Sequence, residues 1–308
     1  MKNKFAFSII FIVILLSTLW SAQEKLPEIK VISLSDHLYK LQIGPVSVVA
    51  SIGPDGVLLS DTGFESTAML LKSNLEKLGG HHIRYIINTH WHSDHCRGNK
   101  VLGKEAAVII AHENVLKALS EDQILTVFWQ EEHKAFPEYA RPNLTFSHRL
   151  TVYFNNEQIE IIHFPNGHTD GDAIVYFKKA KVVHMGDLLF SNGFPAIDFE
   201  HGGNAEQWAI NLQEIIDMMP ADVKLIAGHG PDYTLEKLNK YREMILSTVA
   251  IVKKEMSKGK SLDEMKKDNI LTGWEEWANG FHSCSDWIEI VYHSLTFNKG
   301  RKKNENQI

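Results

Sequence analysis

The chain has 308 residues, 44% hydrophobic and 23% charged, with 9 Pro and 20 Gly. That composition excludes a fibrous, low-complexity or largely disordered protein, and the length allows one large α/β core or two small ones. A net charge of −6 without a basic stripe argues against nucleic acid as a partner, and the Arg301–Lys303 cluster reads as a solvated tail.

Residues 1–22 differ from the rest. Lys2 and Lys4 precede an apolar run from Phe5 to Leu16, and a small residue, Ala22, follows. This is the pattern of a secretory signal peptide, so the expectation is an exported protein, periplasmic or secreted, with no stable membrane insertion after leader removal. Two cysteines, Cys96 and Cys284, permit one disulfide but not a disulfide-built scaffold.

In chain order, short strand patterns at 38–43, 46–52 and 56–61 are separated by Gly- and Pro-containing turns and predict an antiparallel meander. Helical periodicity follows at 66–79, with Leu70, Leu71, Leu75 and Leu78 on one face, then a buried strand at 83–89. A strand at 106–111 and a short helix at 112–119 come next. Residues 120–145, with Phe128, Trp129, Phe136 and Tyr139, read as a helix, a mobile flap, or both. The strand pattern returns at 150–154, 158–164, 173–177, 181–185 and 223–228, around a helix at 205–219. Two roughly matched halves, joined mostly by hairpins, favour two packed sheets with helices outside. Beyond Tyr233 the chain reads as helical (233–257, 261–268, 273–279, 284–295), either packed on the sandwich or forming a homodimer contact.

The chemistry concentrates in Thr89-His90-Trp91-His92-Ser93-Asp94-His95, directly after a predicted strand. In extended chain, His90 and His92 point the same way, while Asp94 and His95 follow where the chain can turn. Imidazole and carboxylate donors suit zinc and similar divalent cations, with manganese or iron as alternatives. Three further candidates sit at strand ends beside glycines: His168 in NGHTDGD, Asp187 in HMGD and His229 in GHG. The set divides into His90, His92 and His168 for one metal and Asp94, His95 and His229 for a second, with Asp187 bridging. A water shared by two such cations loses a proton near neutral pH and becomes a nucleophile, so the implied reaction is hydrolysis. Asp94 is expected both to ligate and to steer the nucleophile or a proton.

The motifs THWHSDH (89–95), GHTDGD (167–172), HMGD (184–187), GHG (228–230) and SDTG (60–63) together resemble the metallo-β-lactamase fold superfamily. The resemblance implies an αββα sandwich over residues 28–235, a helical extension over 236–308, two divalent metals at one edge, and a supporting role for Asp61 near the metal loop. It is specific for fold and metal but not for substrate, since members cleave β-lactams, thioesters, lactones, phosphodiesters and sulfate esters. Asp187 sets the chain apart from dedicated zinc β-lactamases, which usually carry Cys or Ser near that point. The full donor set resembles glyoxalase II and lactonases, but no glutathione-binding basic residues are identifiable in the C-terminal part. The expected function is therefore hydrolysis of an ester, thioester, lactone or amide bond in a small molecule. A β-lactamase, a phosphodiester or sulfate ester hydrolase, and a non-catalytic metal-containing accessory protein stand as alternatives.

Asp61 joins Asp94 among the expected catalytic residues, as an acceptor for a ligating imidazole. Trp91, Phe128, Trp129 and His201 are the expected substrate-pocket residues. Each has a plainer reading: core for Trp91, a packed helix for Phe128 and Trp129, surface for His201. Cys96 is expected to be a buried thiol rather than a ligand.

Overall fold

A computed structural model describes residues 28–106, 108–126 and 131–305. The leader read in residues 1–22, and Phe128 and Trp129, lie outside the described residues. The first half forms a sheet in the order β1 (Ile29–Ser33), β2 (Leu38–Ile43), β3 (Val46–Gly53), β4 (Gly56–Ser60), β5 (Ile83–Ile87) and β6 (Val108–His112), closed by β9 (Leu144–Phe146). β1 to β4 run antiparallel through tight turns; β4 to β5, β5 to β6 and β6 to β9 are parallel. The parallel part needs crossovers, which α1 (Ala68–Lys77), the short α2 (Ser93–Cys96) and α3 (Asn99–Leu102), and α4 (Glu113–Ser120) provide. Between β6 and β9 the chain also forms a separate hairpin, β7 (Gln123–Leu125) with β8 (Glu131–His133). The second sheet has the order β10 (Arg149–Phe154), β11 (Glu157–His163), β12 (Ala173–Phe177), β13 (Val182–His184) and β14 (Lys224–Ile226), of which only β13 and β14 are parallel.

Strand alternation assigns each side chain to a layer. In β12, Ala173, Val175 and Phe177 face the other sheet, where they meet Val49, Leu58, Ile87 and Ile110. Ile174 and Tyr176 face the opposite way, toward α5 (Ala205–Met218) and its buried Trp208, Leu212 and Ile215. On the outer face of the first sheet, Leu41, Val48, Ala50, Val57 and Leu59 pack on Leu71 and Leu75 of α1. The result is the expected αββα sandwich with a C-terminal helical extension. That extension consists of α6 (Leu235–Ser257), α7 (Leu262–Lys267) and α8 (Cys284–Glu305). It shares one core with α5: Leu238, Tyr241 and Ile245 of α6, and Trp287, Ile288 and Val291 of α8, are buried in the same cluster as Trp208 and Leu225. Trp287 Nε1 donates to Thr248 Oγ1 at 2.9 Å, pinning α8 on α6.

Three sequence expectations change. Beyond Ser120, where α4 ends, the described residues up to 145 contain no α-helix; the stretch supplies β7, β8, a single 3-10 turn at Glu138–Ala140, and the start of β9. Ile124 is exposed and Leu125 buried, so the period is that of a strand at a sandwich end. The helix expected over 273–279 reduces to a turn at Glu275–Trp277, preceded by Gly273 at φ 95°. β1 was missed because its period is short and mixed, with only Ile29 fully covered. Cys96 and Cys284 are both free thiols; Cys96 is buried and donates to the Trp91 carbonyl at 2.9 Å. Among the described residues, no helix is long and apolar enough to cross a membrane.

Candidate metal centre

The candidate ligands gather at the ends of β5, β11, β13 and β14, where both sheets present carboxyl-terminal strand ends on the same side. β5 ends at Ile87, and the chain bends through Thr89, His90 and Trp91, rather than running extended, before His92 caps α2 at Ser93. Asp187 sits in a 3-10 turn just after β13, and His229 two residues beyond Ala227 at the exit of β14. Ser47 N donates to Gly228 O at 2.9 Å, which ties the first sheet to the loop carrying His229.

His90, His92, His168 and Asp187 converge as one group of buried donors, and Asp94, His95 and His229 as a second. His168 Nε2 lies 2.8 Å from His92 Nδ1, and Asp187 Oδ2 lies 3.6 Å from His168 Nε2 and 3.8 Å from His90 Nε2. The same carboxylate reaches the second group: Oδ1 is 3.1 Å from His95 Nε2 and Oδ2 is 3.3 Å from His229 Nε2. Asp94 Oδ2 is 3.0 Å from His229 Nε2 and 3.5 Å from His95 Nε2. Asp187 therefore stands between the two clusters.

The glycines beside these residues make the crowding feasible. A Cβ on Gly228 would meet Asp187 Oδ1 and come within 2.7 Å of the Gly186 carbonyl oxygen. Only a residue without a side chain lets the two loops approach this closely.

Three of the imidazoles, those of His95, His168 and His92, are aimed by their other nitrogen. Asp61 accepts from His95 Nδ1 at 2.8 Å and from the Thr89 backbone N–H and hydroxyl, both at 2.8 Å. It does so in the left-handed region, at φ 65°, which Asp tolerates better than most residues. Asp61 is fully buried behind His95, so it positions a donor and cannot touch a substrate. Ala196 O accepts from His168 Nδ1 at 2.7 Å. Asp198 Oδ2 sits 3.0 Å from His92 Nε2, leaving Nδ1 to face His168.

The electrostatics separate the two clusters. Burial, reinforced by the charges of His95 for His90 and of His92 for His168, lowers both imidazoles; His168 falls to about 4. They are thus neutral donors at neutral pH. Burial pushes His229 down too, but Asp187 and Asp94 outweigh it and raise it to about 9. His95 is raised the same way, by Asp187 and then Asp94 against burial. Burial pushes Asp94 up, yet the charges of His95 and His229 hold it at about 2.

These residues fit divalent metals. His90 Nε2 is buried with no hydrogen-bond partner, an arrangement that costs on the order of 1–3 kcal/mol unless something accepts its lone pair or proton. The carboxylates gathered with imidazole nitrogens are the borderline donor set of zinc and its neighbours.

The donors open on a cavity of about 770 Å3, with His92, Asp94, His168, Asp187 and His229 at its floor. Trp91 and His201 do not line it. Trp91 is 1% exposed and packs with Cys96, Val115, Leu119 and Phe136 beneath the loop, its ring 4.7 Å from that of His201. His201 is held by Asp198 through Nδ1 at 2.9 Å. Both therefore lie behind His92 rather than on the cavity wall.

Sequence reasoning passed over Asp198, an acid in an irregular loop that begins at Asp187. Its signal was its position three residues before His201. The cavity walls from Phe190, Phe199 and the C-terminal segment carried no spacing motif.

Residues 41–230 match the Metallo-beta-lactamase superfamily. An uncharacterized protein of Aquifex aeolicus is 26% identical over 200 residues, 63% of this chain and 90% of its own length. A hydroxyacylglutathione hydrolase of Pelagibacter ubique is 34% identical over 157 residues, and the match spans 50% of this chain and 53% of that relative. Among solved structures, a metallo-beta-lactamase from Pontibacter korlensis superposes with TM-score 0.59 at 18% identity, over 71% of this chain and 99% of that one. A sec-alkylsulfatase, Pisa1 from Pseudomonas sp., gives TM-score 0.66 at 16% identity, over 86% of this chain and 50% of that one. With the sandwich, the strand-end donors and the matched span together, the chain belongs to the metallo-beta-lactamase superfamily.

Proposed function

We propose that the protein is a dinuclear, zinc-loaded metallohydrolase that cleaves an ester, thioester, lactone or amide bond of a small molecule. The observation that carries this reading is Asp187, whose two oxygens lie 3.1 Å and 3.3 Å from donors of the second cluster while also facing those of the first. His90, His92 and His168 would hold one cation, Asp94, His95 and His229 the other, and Asp187 both. When bound, the cations supply Lewis acidity, which acidifies a water and offsets negative charge on the substrate oxygen.

The chain's own residues do the rest. His90 and His168 are neutral before any ligand arrives, so their nitrogens need lose no proton. Asp61, Ala196 and Asp198 fix the tilt of His95, His168 and His92, sparing the site reorganisation during reaction. Asp94, ionised and at the cavity floor, is placed to orient a proton of the attacking water. The leader read in residues 1–22 makes export, to the periplasm or outside the cell, part of the same proposal. So is the division into a catalytic sandwich over 28–235 and a helical extension over 236–308.

The test is metal analysis combined with initial rates on a cephalosporin, a thioester, a lactone, an aryl ester and a phosphodiester, each with a chelator-treated control. Two equivalents of bound metal and a chelator-sensitive rate on an acyl substrate are expected. One equivalent, or activity confined to the phosphodiester, overturns the reading.

A further inference from the structure

The C-terminal extension builds part of the cavity. Backbones meet at Gly193 and Gly280, where a Cβ on Gly193 would lie 3.1 Å from the Gly280 Cα, and Phe194 N donates to Trp277 O at 2.8 Å. This junction sets Phe281 over the donor cluster. Its ring lies 5.3 Å from Phe190 and 6.2 Å from His229, and Phe190 in turn stacks on His229 at 4.5 Å. On the other side, Phe199 stacks on His293 of α8 at 5.3 Å. With Phe64, Leu125 and Ile290, these rings make the cavity wall largely apolar.

The charges on that wall have one sign in excess. Beyond the candidate ligands, its carboxylates are Glu131, Asp286 and Glu289, and its single Arg or Lys among the described residues is Arg97. Arg97 Nη2 is already 2.9 Å from Glu131 Oε1. Glu289 is paired with Lys266, which lies outside the cavity lining, at 2.5 Å. Among the described lining residues, no uncommitted Lys or Arg stands ready to receive an anionic group away from the metal cluster, and a carboxylate or phosphate there would be desolvated beside like charge.

We infer that the C-terminal wall selects substrates whose non-reacting part is apolar and carries no negative charge, with Phe281 and Ile290 as specificity-determining contacts. This rests on the hydrolase reading for the bond that is cleaved, but the wall itself is a binding surface with or without turnover. It also implies that an anionic thioester such as one built on glutathione is a poor substrate for this chain.

Two measurements test it. Hydrolysis of 4-nitrophenyl octanoate is compared with that of mono-4-nitrophenyl suberate, equal in chain length but ending in a carboxylate. The neutral ester should lead in kcat/KM by about tenfold or more, a margin typical of one pocket contact. Phe281→Ala should raise KM for the octanoate and leave the acetate ester less affected; Phe281 is 59% exposed, so the fold should tolerate the change. Glu289→Lys should move the ratio toward the suberate. Separately, calorimetric titration with 2-decanone, which has no bond to hydrolyse, should show binding that Phe281→Ala weakens. A suberate preference equal to or above that for octanoate, or 2-decanone binding indifferent to Phe281, overturns the inference. If neither ester reacts, the ketone titration still decides whether the wall binds apolar ligands, and the thioester and lactone rates decide the hydrolase reading separately.

Discussion

Asp198 holds His92 by its Nε2, 3.0 Å away, and so turns the Nδ1 of that ring toward His168. Asp198 is fully buried, and burial alone would raise its carboxyl, but hydrogen bonds from His201 and His92 bring it well below the usual range. A fixed negative charge behind an imidazole sets its tautomer and raises its basicity.

Asp198→Ala is expected to lower divalent-metal affinity about 10–100-fold, the usual cost of losing such a partner. Asp198→Asn keeps an acceptor oxygen and should recover part of the loss. Competition with a fluorescent chelator measures both, with circular dichroism confirming the fold. Wild-type affinity in the Ala variant would remove Asp198 from the site.

Asp187→Ala removes the carboxylate common to both clusters. The metal-dependent rate should fall by at least about 100-fold, the upper end of what losing even an outer partner costs. Metal content should drop with it. Full activity with one cation per chain would mean that Asp187 does not link two centres.

The metal-free protein should lose stability as pH rises through the range of His229. Its folded value, about 9, lies above the ordinary 6.5, so its contribution is complete below pH 6.5 and gone above about 9. Asp172, raised to about 8 by burial, acts in the same direction, since its folded carboxyl resists ionising while the unfolded one does not. Metal binding displaces the His229 proton, so the gap in Tm between metal-loaded and chelator-treated protein should widen from pH 6.5 to 9. A constant gap across that window contradicts a protonated His229 in the metal-free state.

Trp287→Ala should destabilise the whole protein by about 3–5 kcal/mol, because a fully buried indole leaves a cavity in the core shared by α5, α6 and α8. Denaturant unfolding should remain a single transition. Two transitions, with the sandwich unchanged, would make the helical extension an independent unit.

The ligands were legible because coordination chemistry restricts residue type and strand geometry restricts spacing. His90 and His92, two apart directly after β5, reach the same donor group, and His168, Asp187 and His229 each followed a strand pattern beside a glycine. The sandwich was legible for a similar reason: β12 is a short, wholly apolar run buried on both faces, and α5 carries the 3.6 period of a helix with one buried face. The 120–145 region stayed open between helix and flap because aromatic residues satisfy helix and strand patterns equally well, and β7 and β8 are only three residues each.

The sequence by itself determined the donor set, the layer order and the class of chemistry, since local periodicity and residue type suffice for those. Only the tertiary structure decided that Asp198 buttresses His92, that Trp91 and His201 lie behind the site, and that Phe281 overhangs it. These relations join residues far apart in the chain, through the closing of loops and the C-terminal segment on the two sheets. No local pattern encodes a contact whose geometry is set by how separate layers close on one another.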